Sequence, residues 1–435
     1  IVVSERTARS APSFRFDDLG VVDVRGRARP VHAFRLAGVG ERRPLVVRGP
    51  FLGREDAFGS LRSTFNKVVA EGNPAHVAVV GDPGVGKSRL VSEFVDWASG
   101  VDSTLTTLSG RCLPYGEDVT YRPLAEILTE MTGITATMDH ATARSHLEHV
   151  LPGTTEDDDA SADALLRMIG LTTGPLPSPR RTRELLRSAW RTLLSRLADD
   201  GPVLVVVEDV HWAGDALFDL LDHVVRRVAG PLLLLTPARP EVFERRPAWR
   251  AEGSATKVVV VTPLDPDQAR RLAGRLLADA RLPVAESDAV AGRADGNPFF
   301  MEELVRQLAL QRSDTGHDAG SELPATIQGV ISARIDLLGP AERRVLQAAS
   351  IMGRIFWPSA VAHLTGFGEE EVEEALRRLE SLHMVRRNLR SSLEGETEYL
   401  FQHSLISETA YGRLARTDLA RMHGALAEWL ERRES

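Results

Sequence analysis

An eight-residue glycine-rich segment constrains the fold of this chain more than any other feature of its sequence. Gly81-Asp82-Pro83-Gly84-Val85-Gly86-Lys87-Ser88 satisfies the pattern G-x-x-x-x-G-K-[ST]. It directly follows a β-branched run, Val77 to Val80, and directly precedes apolar residues at helical spacing between Leu90 and Val95. The pattern carries its chemistry only between a strand and a helix. A β-strand, a tight loop and an α-helix are therefore predicted here.

Such a loop is suited to bind phosphate groups. Its glycines let backbone N–H groups close around phosphate oxygens, and the following helix adds its positive end. Lys87 would reach the β and γ phosphates, and the Ser88 hydroxyl would bind Mg²⁺. A glycine-rich turn ahead of a helix is the alternative. We place in the predicted site Gly81, Asp82, Pro83, Gly84, Val85, Gly86, Lys87, Ser88 and Arg89.

Two carboxylates follow a second buried strand. Val203 to Val207 is an uninterrupted aliphatic run, and Glu208 and Asp209 come directly after it. A phosphate-bound Mg²⁺ needs a carboxylate at such a position. By position, Glu208 would belong to the Mg²⁺ shell and Asp209 would orient the attacking water. Glu in the first position is one methylene longer than the usual Asp, so the division of roles stays open. A capping residue of the next helix is the alternative for each.

The length of 435 residues allows two to three domains. From Pro50 onward, strands alternate with helices, which is typical of a parallel sheet with crossover helices. Beyond Leu264 helices dominate. Three helices, Ala341 to Ser350, Ser359 to Leu364 and Glu369 to Leu382, precede two short strands around Val385 and Tyr399, and this order predicts a winged helix.

The predicted fold class is therefore α/β, with a parallel-sheet P-loop domain followed by a helical domain and a winged-helix domain. We expect a closing hairpin of a preceding domain with its linker at 1–44 and the α/β domain at 45–263. The helical domain is expected at 264–324, the winged helix at 325–402, and the start of a further helical region at 403–435. Solvated loops are expected at Glu156 to Asp159, Thr172 to Arg181 and Arg312 to Glu322.

Composition and charge exclude several classes of function. The formal net charge is −8, from 53 basic and 61 acidic residues, so the chain lacks the basic excess of a nucleic-acid-binding protein. The third helix of the predicted winged helix carries six glutamates, which repel phosphates, so we expect a packing module rather than a DNA reader. No aliphatic run approaches the roughly 20 residues that span a bilayer. A single cysteine, Cys112, favours the cytoplasm.

The N-terminal residues form a separate pattern. Residues 19–26 and 29–36 are two apolar runs around a predicted turn, and they resemble the closing hairpin of a class III nucleotide cyclase domain. An ordinary β-hairpin is the alternative. The chain starts at Ile1, so we interpret it as a piece of a longer polypeptide.

Six segments together resemble a known family. They are Phe51-Leu52-Gly53-Arg54-Glu55, the glycine-rich loop, Glu208-Asp209-Val210-His211-Trp212-Ala213, Ala238-Arg239-Pro240-Glu241, Gly296-Asn297-Pro298-Phe299-Phe300-Met301-Glu302-Glu303-Leu304 and Phe401-Gln402-His403-Ser404-Leu405. From about residue 50 to its end, the chain resembles the AAA-like signal-transducing ATPases with numerous domains. That family is found after cyclase domains and in large ATP-binding LuxR-type regulators.

The resemblance implies further site residues. Phe51, Leu52 and Arg54 would lie near the adenine of ATP or ADP, Gly296 and Pro298 would close over the nucleotide, and Arg239 would occupy the sensor position. The residues alone leave alternatives open. Gly296 and Pro298 also fit a turn between helices. Arg239 could be a solvated arginine, and His403 could be a histidine of the core.

Two departures from the family pattern predict slow hydrolysis. The family has Thr two residues before the sensor arginine, whereas this chain has Pro237 there and Thr236 one residue earlier. The Asp that usually follows His-Trp-Ala is displaced by one residue, to Asp215. Both positions face the γ-phosphate in the family, so nucleotide binding is not affected.

The function implied is an ATP-binding, slowly hydrolysing regulatory switch of a multidomain bacterial signalling protein. The resemblance implies a Mg²⁺-dependent ATPase activity, effector domains in the same parent chain and an oligomer in the ATP state. The alternatives are an ATP-dependent transcription regulator of the LuxR type and the regulatory ATPase part of an adenylate or guanylate cyclase. The chain itself is not expected to be a cyclase, because a closing hairpin has no catalytic carboxylate pair.

Replacement of Lys87 tests the glycine-rich loop. The variant Lys87→Ala should lose ATP binding but keep its fold, since it removes a charge-assisted phosphate contact from a surface loop without opening a core cavity. Calorimetric titration with ATP measures the first effect and circular dichroism the second. Unchanged ATP affinity would show that the loop is not a phosphate site.

Overall fold

The computed structural model describes residues 2–4, 14–22, 31–39, 51–112, 121–135, 138–150, 156–171, 178–251, 253–315, 326–388, 391, 393 and 395–434. The chain divides into two compact units, Ile1–Phe51 and Leu52–Ser435. No helix in these ranges is long and apolar enough to cross a membrane.

The first unit is a small antiparallel sheet. Its strands are β1 (Val2–Ser4), β2 (Phe14–Val22) and β3 (Val31–Val39), in the order β1-β3-β2. The predicted pairing of two consecutive strands is confirmed, since β2 and β3 pair from Phe14↔Val39 to Val22↔Val31. The predicted turn at residues 26–30 lies outside the described residues. The third strand was not predicted from the sequence.

The second unit is built on a five-stranded parallel sheet, which confirms the predicted α/β class. Its strands are β4 (Ala75–Val80), β5 (Thr106–Arg111), β6 (Val203–Glu208), β7 (Leu232–Ala238) and β8 (Thr256–Val260). Their order is β5-β6-β7-β4-β8, and every neighbouring pair is parallel. β7 therefore lies between β4, which ends at the glycine-rich loop, and β6, which ends at Glu208.

Helices pack on this sheet and bury its central strands. They are α1 (Glu55–Glu71), α2 (Lys87–Val101), α3 (Arg122–Thr132), α4 (His140–Val150), α5 (Glu156–Met168), α6 (Pro179–Asp200), α7 (Asp215–Arg227) and α8 (Val242–Arg245). All seven residues of β7 are buried, as expected for a strand covered on both faces. The core between the sheet and α6 centres on Trp190, which is 1% exposed.

A helical region follows the sheet. It contains α9 (Pro266–Asp279), α10 (Ser287–Ala294), α11 (Pro298–Thr315) and α12 (Ile327–Asp336). Asp265 begins α9 with a reciprocal capping pair to Gln268, which satisfies two backbone N–H groups at the helix start. The apolar faces of the first three helices share a core around Leu304.

The remaining chain forms a mixed region with a small antiparallel sheet. Its elements are α13 (Pro340–Ser350), β9 (Ile355–Phe356), α14 (Pro358–Thr365), α15 (Glu369–Ser381), β10 (Val385–Arg387), β11 (Tyr399–Phe401), α16 (Ser404–Gly412) and α17 (Arg416–Glu434). The sheet order is β10-β11-β9. The three predicted helices and two strands are present. The two-residue strand β9 gave no sequence signal.

Some predicted loops and boundaries were wrong. Glu156 to Asp159 is the first turn of α5, where carboxylates are favoured by the positive end of the helix. Residues 172–177 lie outside the described residues, but α6 already begins at Pro179, capped by Ser178. α11 continues to Thr315, past the predicted break at Arg312.

A buried histidine links three strands of the parallel sheet. The His76 ring on β4 lies 2.9 Å from Thr256 Oγ1 on β8 and 2.7 Å from Thr236 Oγ1 on β7. Its edge meets the Trp249 ring at a centroid distance of 4.9 Å. Burial lowers the pKa of His76 to about 3. The folded protein therefore holds this imidazole neutral.

Acid should destabilise the fold through His76. Below the ordinary pKa of 6.5 the unfolded chain protonates this histidine, whereas the folded chain does so only near pH 3. One such group lowers the free energy of unfolding by about 1.4 kcal/mol for each pH unit between those limits. The variant His76→Gln, measured by urea denaturation from pH 7 downward, should lose that part of the slope. The control His149→Gln, at an exposed position of α4, should keep it. Equal slopes for His76→Gln and the parent would contradict the assignment.

Candidate functional site

The glycine-rich loop leaves the carboxyl end of β4 in a conformation that requires glycine. Gly84 has φ 81° and Gly86 has φ 103°, both in the left-handed region. A Cβ on Gly81 would lie 2.3 Å from the carbonyl oxygen of Val261. α2 begins at Lys87, so the loop and the helix start form one concave backbone surface.

Lys87 lies folded against its own loop. Its Nζ donates to the carbonyl oxygens of Gly81, at 2.7 Å, and Asp82, at 2.9 Å. Burial lowers the pKa of Lys87 to about 8, and the nearby Asp209 carboxylate opposes that shift. A largely desolvated cation whose partners are neutral carbonyls is suited to receive an anion. The loop, its helix and this lysine therefore fit a phosphate group, and the exposed Ser88 lies beside them.

Arg54 supports the loop from the other side. Its buried side chain donates from Nη2 to the carbonyl oxygen of Val85 at 2.8 Å, and from Nη1 to that of Gly53 at 3.1 Å. Burial lowers the pKa of Arg54. Leu52 packs against the core of the helical region. Phe51 is the last residue of the first unit. Of the residues predicted near adenine, Arg54 thus holds the backbone of the glycine-rich loop itself.

Two arginines lie beside Glu208, which is predicted to bind Mg²⁺, and Asp209, which is predicted to orient water. Arg111, at the end of β5, forms an ion pair with Glu208 and lies 3.6 Å from Asp209 Oδ2. Arg354, in the turn before β9, lies 3.6 Å from the same oxygen. Burial lowers the pKa of Arg111 to about 9, Arg354 adds to that shift, and Asp209 opposes it. Sequence analysis missed both arginines, since neither belongs to a recognisable motif.

The backbone of Asp209 is unusual. It has φ 55° and ψ 36°, in the left-handed region, and it precedes the short 3-10 turn Val210–Trp212. Non-glycine residues adopt this region rarely, and Asp and Asn do so at the lowest cost. This conformation turns the chain sharply after β6 at the edge of the sheet.

The predicted sensor arginine is held by the C-terminal part of the chain. Arg239, directly after β7, forms an ion pair from Nη2 to Glu408 on α16 and donates to Ser404 Oγ at 3.4 Å. Its backbone N–H donates to Nδ1 of His211 at 3.4 Å. Burial lowers the pKa of His211 to about 4. The alternative of a solvated arginine is wrong, because the side chain is 15% exposed.

The helical region is hydrogen-bonded to the glycine-rich loop. Asn297 donates from Nδ2 to the carbonyl oxygen of Pro83 at 3.0 Å, and the Phe299 N–H donates to that of Gly84 at 3.3 Å. Gly296 has φ 70°, and its Cβ would lie 2.3 Å from the carbonyl oxygen of Leu264. Pro298, which we expected at the nucleotide, is the first residue of α11 beside these bonds. Asn297, between the two predicted residues, makes the side-chain contact.

His403 lies next to Phe299, one of the residues that bond to the glycine-rich loop. Its ring stacks on Phe299 at a centroid distance of 3.8 Å, and its Nδ1 accepts from the Leu405 N–H at 3.2 Å, which caps α16. Burial lowers the pKa of His403 to about 3, and Arg354, Lys87 and Arg239 all disfavour its protonation further. This histidine therefore caps a helix and packs next to residues that bond to the loop.

The described ranges contain no cluster of three or more His, Cys, Asp or Glu side chains that could hold a metal ion. A Mg²⁺ ion at this edge of the sheet would depend on phosphate oxygens for most of its ligands, as in other P-loop sites. Ser88 and Glu208 are the predicted protein ligands; Ser88 lies in the first turn of α2, and Glu208 ends β6, which β7 separates from β4.

Comparison with known proteins identifies the class. Residues 50–235 match the family model of the AAA ATPase domain, which supports a nucleotide-binding ATPase module in this segment. The predicted resemblance to AAA-like ATPases is confirmed over this segment. The match includes the glycine-rich loop and the carboxylates after β6.

Three further proteins are similar to this chain over most of its length. An uncharacterized protein of Rhizobium meliloti (strain 1021) is 29% identical over 443 residues, which cover 98% of this chain but 42% of the relative. The chain thus spans about two fifths of that relative's length. A signal transduction ATPase with numerous domains and a tetratricopeptide repeat sensor, from Pyrococcus horikoshii, is similar at a TM-score of 0.47 and 13% identity, over 89% of this chain and 47% of that one. The ORC1 protein of Aeropyrum pernix, solved in complex with DNA, has a TM-score of 0.39 and 17% identity, over 87% of this chain and 97% of that one.

Replacement of Asn297 tests the connection between the helical region and the loop. The variant Asn297→Ala should lower the free energy of unfolding by about 1 to 3 kcal/mol, because it leaves the Pro83 carbonyl and the Phe300 N–H without their partner. ATP affinity should fall with it, since the loop loses a support. Urea denaturation and calorimetry measure the two effects. The control Asn66→Ala, at an exposed position of α1, should change stability by less than about 0.5 kcal/mol. Equal effects of the two variants would contradict this role.

Proposed function

We propose that this chain is an ATP-dependent regulatory switch with slow, Mg²⁺-dependent hydrolysis. The observation that carries the proposal is a pair of ionic contacts between the ATPase domain and the C-terminal region. Arg239 pairs with Glu408, and Asp209 lies beside Arg354. The residues expected to detect the γ-phosphate and to orient water are thus the same residues that hold the C-terminal region in place.

The nucleotide's phosphates would bind in the glycine-rich loop. Lys87 would exchange its two carbonyl contacts for the β and γ phosphates, and Ser88 and Glu208 would hold Mg²⁺, which neutralises phosphate charge when bound. Arg54 would keep the loop in shape through its bond to Val85. Leu52, two residues before Arg54, would border the adenine. Pro298 would close the site from the helical region.

We expect slow hydrolysis because the candidate catalytic residues Asp209 and Arg239 already contact oppositely charged side chains. Asp209 can orient an attacking water only if its oxygens are free to accept from that water. Two guanidinium groups surround that carboxylate, and Arg239 is paired with Glu408. Chemistry therefore requires these ion pairs to separate. The displaced Thr236 and Asp215 leave the γ-phosphate with fewer partners than the family pattern provides.

Switching follows from competition for Arg239. A γ-phosphate and the Glu408 carboxylate are both anions that pair with one guanidinium. ATP would favour the arrangement in which α16 is released, whereas ADP, which lacks the γ-phosphate, would leave the ion pair intact. A ligand shifts such an equilibrium only through its different affinity for the two arrangements.

The wider context belongs to the same proposal. The region 325–402 would be a winged helix that packs against the ATPase domain, with the helical domain at 264–324 between them. The acidic face of α15 disfavours DNA as its ligand. Effector domains of a longer cytoplasmic parent chain would read the switch. That parent chain would be a cyclase, with 1–44 as the closing hairpin of its preceding domain and a linker, or a LuxR-type regulator.

Replacement of Glu408 by glutamine tests whether this chain is a switch or a constitutive ATPase. The variant Glu408→Gln should hydrolyse ATP about tenfold faster, which corresponds to about 1.4 kcal/mol, because Arg239 no longer has a competing anion. Steady-state phosphate release measures turnover, and small-angle scattering with Mg-ADP and with a non-hydrolysable ATP analogue measures the arrangement. The control Glu428→Gln, exposed on α17, should match the parent. Identical scattering profiles together with parental turnover above about ten per second would fit a constitutive ATPase and exclude the switch.

A further inference from the structure

His211 carries a buried hydrogen-bond donor at the edge of the sheet. It lies in the 3-10 turn Val210–Trp212, which follows Asp209 after β6, and it is 9% exposed. Its Nδ1 accepts from the Arg239 N–H at 3.4 Å. A neutral imidazole has one N–H, so the hydrogen is on Nε2. Among the described residues, this buried Nε2 has no hydrogen-bond partner.

The turn holds the His211 ring in place. The Trp212 N–H donates to the Asp209 carbonyl oxygen at 3.0 Å, and the Ala213 N–H donates to that of Val210 at 2.9 Å. The imidazole also packs against the Trp212 ring at a centroid distance of 5.0 Å. A buried N–H without an acceptor costs free energy, and native proteins pair nearly all such groups. A donor fixed in this way indicates a ligand that supplies the acceptor.

The ring lies among the side chains predicted to act on the terminal phosphate. Burial lowers the pKa of His211 to about 4, the Asp209 carboxylate opposes that shift, and Arg239 and Lys87 add to it. Charges affect a group in this way only from nearby. His211 is therefore close to the lysine expected at the β and γ phosphates and to the expected sensor arginine. At neutral pH its ring is an uncharged donor.

The central strand β7 offers no such donor. Its last two residues, Pro237 and Ala238, have no polar side chain. The Thr236 hydroxyl lies 2.7 Å from Nε2 of His76, and Thr236 is 0% exposed, so this hydroxyl is used inside the sheet. A neutral side-chain donor at this edge is therefore supplied by the turn after β6 rather than by β7.

We propose that Nε2 of His211 donates a hydrogen bond to the γ-phosphate of bound ATP and so selects the triphosphate over ADP. This contact rests on the proposed function, which places the γ-phosphate beside Lys87 and Arg239. ADP ends at the β-phosphate, so it leaves Nε2 without an acceptor. A hydrogen bond to a charged phosphate oxygen is stronger than one between neutral groups. Through Nδ1, the same ring connects the γ-phosphate to the backbone of Arg239.

Two amide replacements separate the roles of the ring nitrogens. Asparagine places an amide near the position of Nδ1, where it still accepts from the Arg239 N–H, but it has no atom at the position of Nε2. Glutamine reaches the position of Nε2 and donates there, but it lacks the Nδ1 acceptor. The variants His211→Asn and His211→Gln therefore remove the donor and the acceptor in turn.

Calorimetric titration of the full chain with Mg-ADP and with a non-hydrolysable ATP analogue measures the selection. His211→Asn should bind the analogue about tenfold more weakly than the parent and ADP within about threefold of it, because only the triphosphate loses a contact. His211→Gln should keep the parent's ratio of the two affinities within about threefold. The control His149→Asn, exposed on α4, should match the parent for both nucleotides.

The outcomes separate this contact from the proposed function. If the parent binds neither nucleotide, the proposed function fails, and the contact fails with it. If the parent binds both but His211→Asn keeps the parent's ratio, only the contact is overturned. A ratio that changes in His211→Gln and not in His211→Asn would assign the ring to the positioning of Arg239 alone.

Magnetic resonance of the parent with isotope-labelled histidine nitrogens tests the contact without any substitution. Contacts with the Trp212 ring identify the His211 signals. Before nucleotide is added, these signals should show hydrogen on Nε2 and none on Nδ1. The ATP analogue should move the Nε2 proton signal downfield, and ADP should move it less. An equal response to the two nucleotides, or hydrogen on Nδ1, overturns the proposal.

Discussion

The order of strands in the parallel sheet is the constraint on which the rest of the structure depends. Because β7 lies between β4 and β6, three neighbouring strands end at one edge, and each ends at a different kind of group. β4 ends at the glycine-rich loop, β7 ends directly before Arg239, and β6 ends at Glu208, directly before Asp209. Open parallel sheets place their ligand sites at this edge. A few residues of the helical and C-terminal regions can therefore contact the ends of all three strands.

Local patterns predicted what depends on neighbouring residues in the chain. The glycine-rich loop, the strand before Glu208 and the helices with apolar stripes all follow from spacing within about 20 residues, and the structure confirms them. The sequence did not predict the short strand β9 or the helical turn at Glu156, because neither has a distinctive local pattern. Two residues give no periodicity, and four acidic residues are as compatible with a helix start as with a solvated loop.

Contacts between distant segments could not be predicted from the sequence. Arg111, Arg354 and Glu408 belong to no motif, and 243 residues separate the first two along the chain. In a chain with 53 Lys and Arg and 61 Asp and Glu, charge alone does not select which pairs form. Arg111 reaches the carboxylates because β5 pairs with β6. The packing of α16 and of the turn before β9 against the sheet edge brings Glu408 to Arg239 and Arg354 to Asp209. The sequence did not predict the contact of Asn297 with the glycine-rich loop, although Asn297 lies between the predicted residues Gly296 and Pro298.

The left-handed backbone at Asp209 restricts which residues can occupy that position at all. A β-branched side chain there would clash with its own carbonyl, whereas Asn and Gly accept the same φ with little strain. Substitution tolerance at Asp209 therefore has two separate parts, one set by the carboxylate and one by the turn. Among replacements, Asn removes the charge alone, Gly removes the side chain and keeps the turn, and Val alters both. A relative with Asn at this position would thus be expected to keep the fold of the sheet edge unchanged while losing its negative charge.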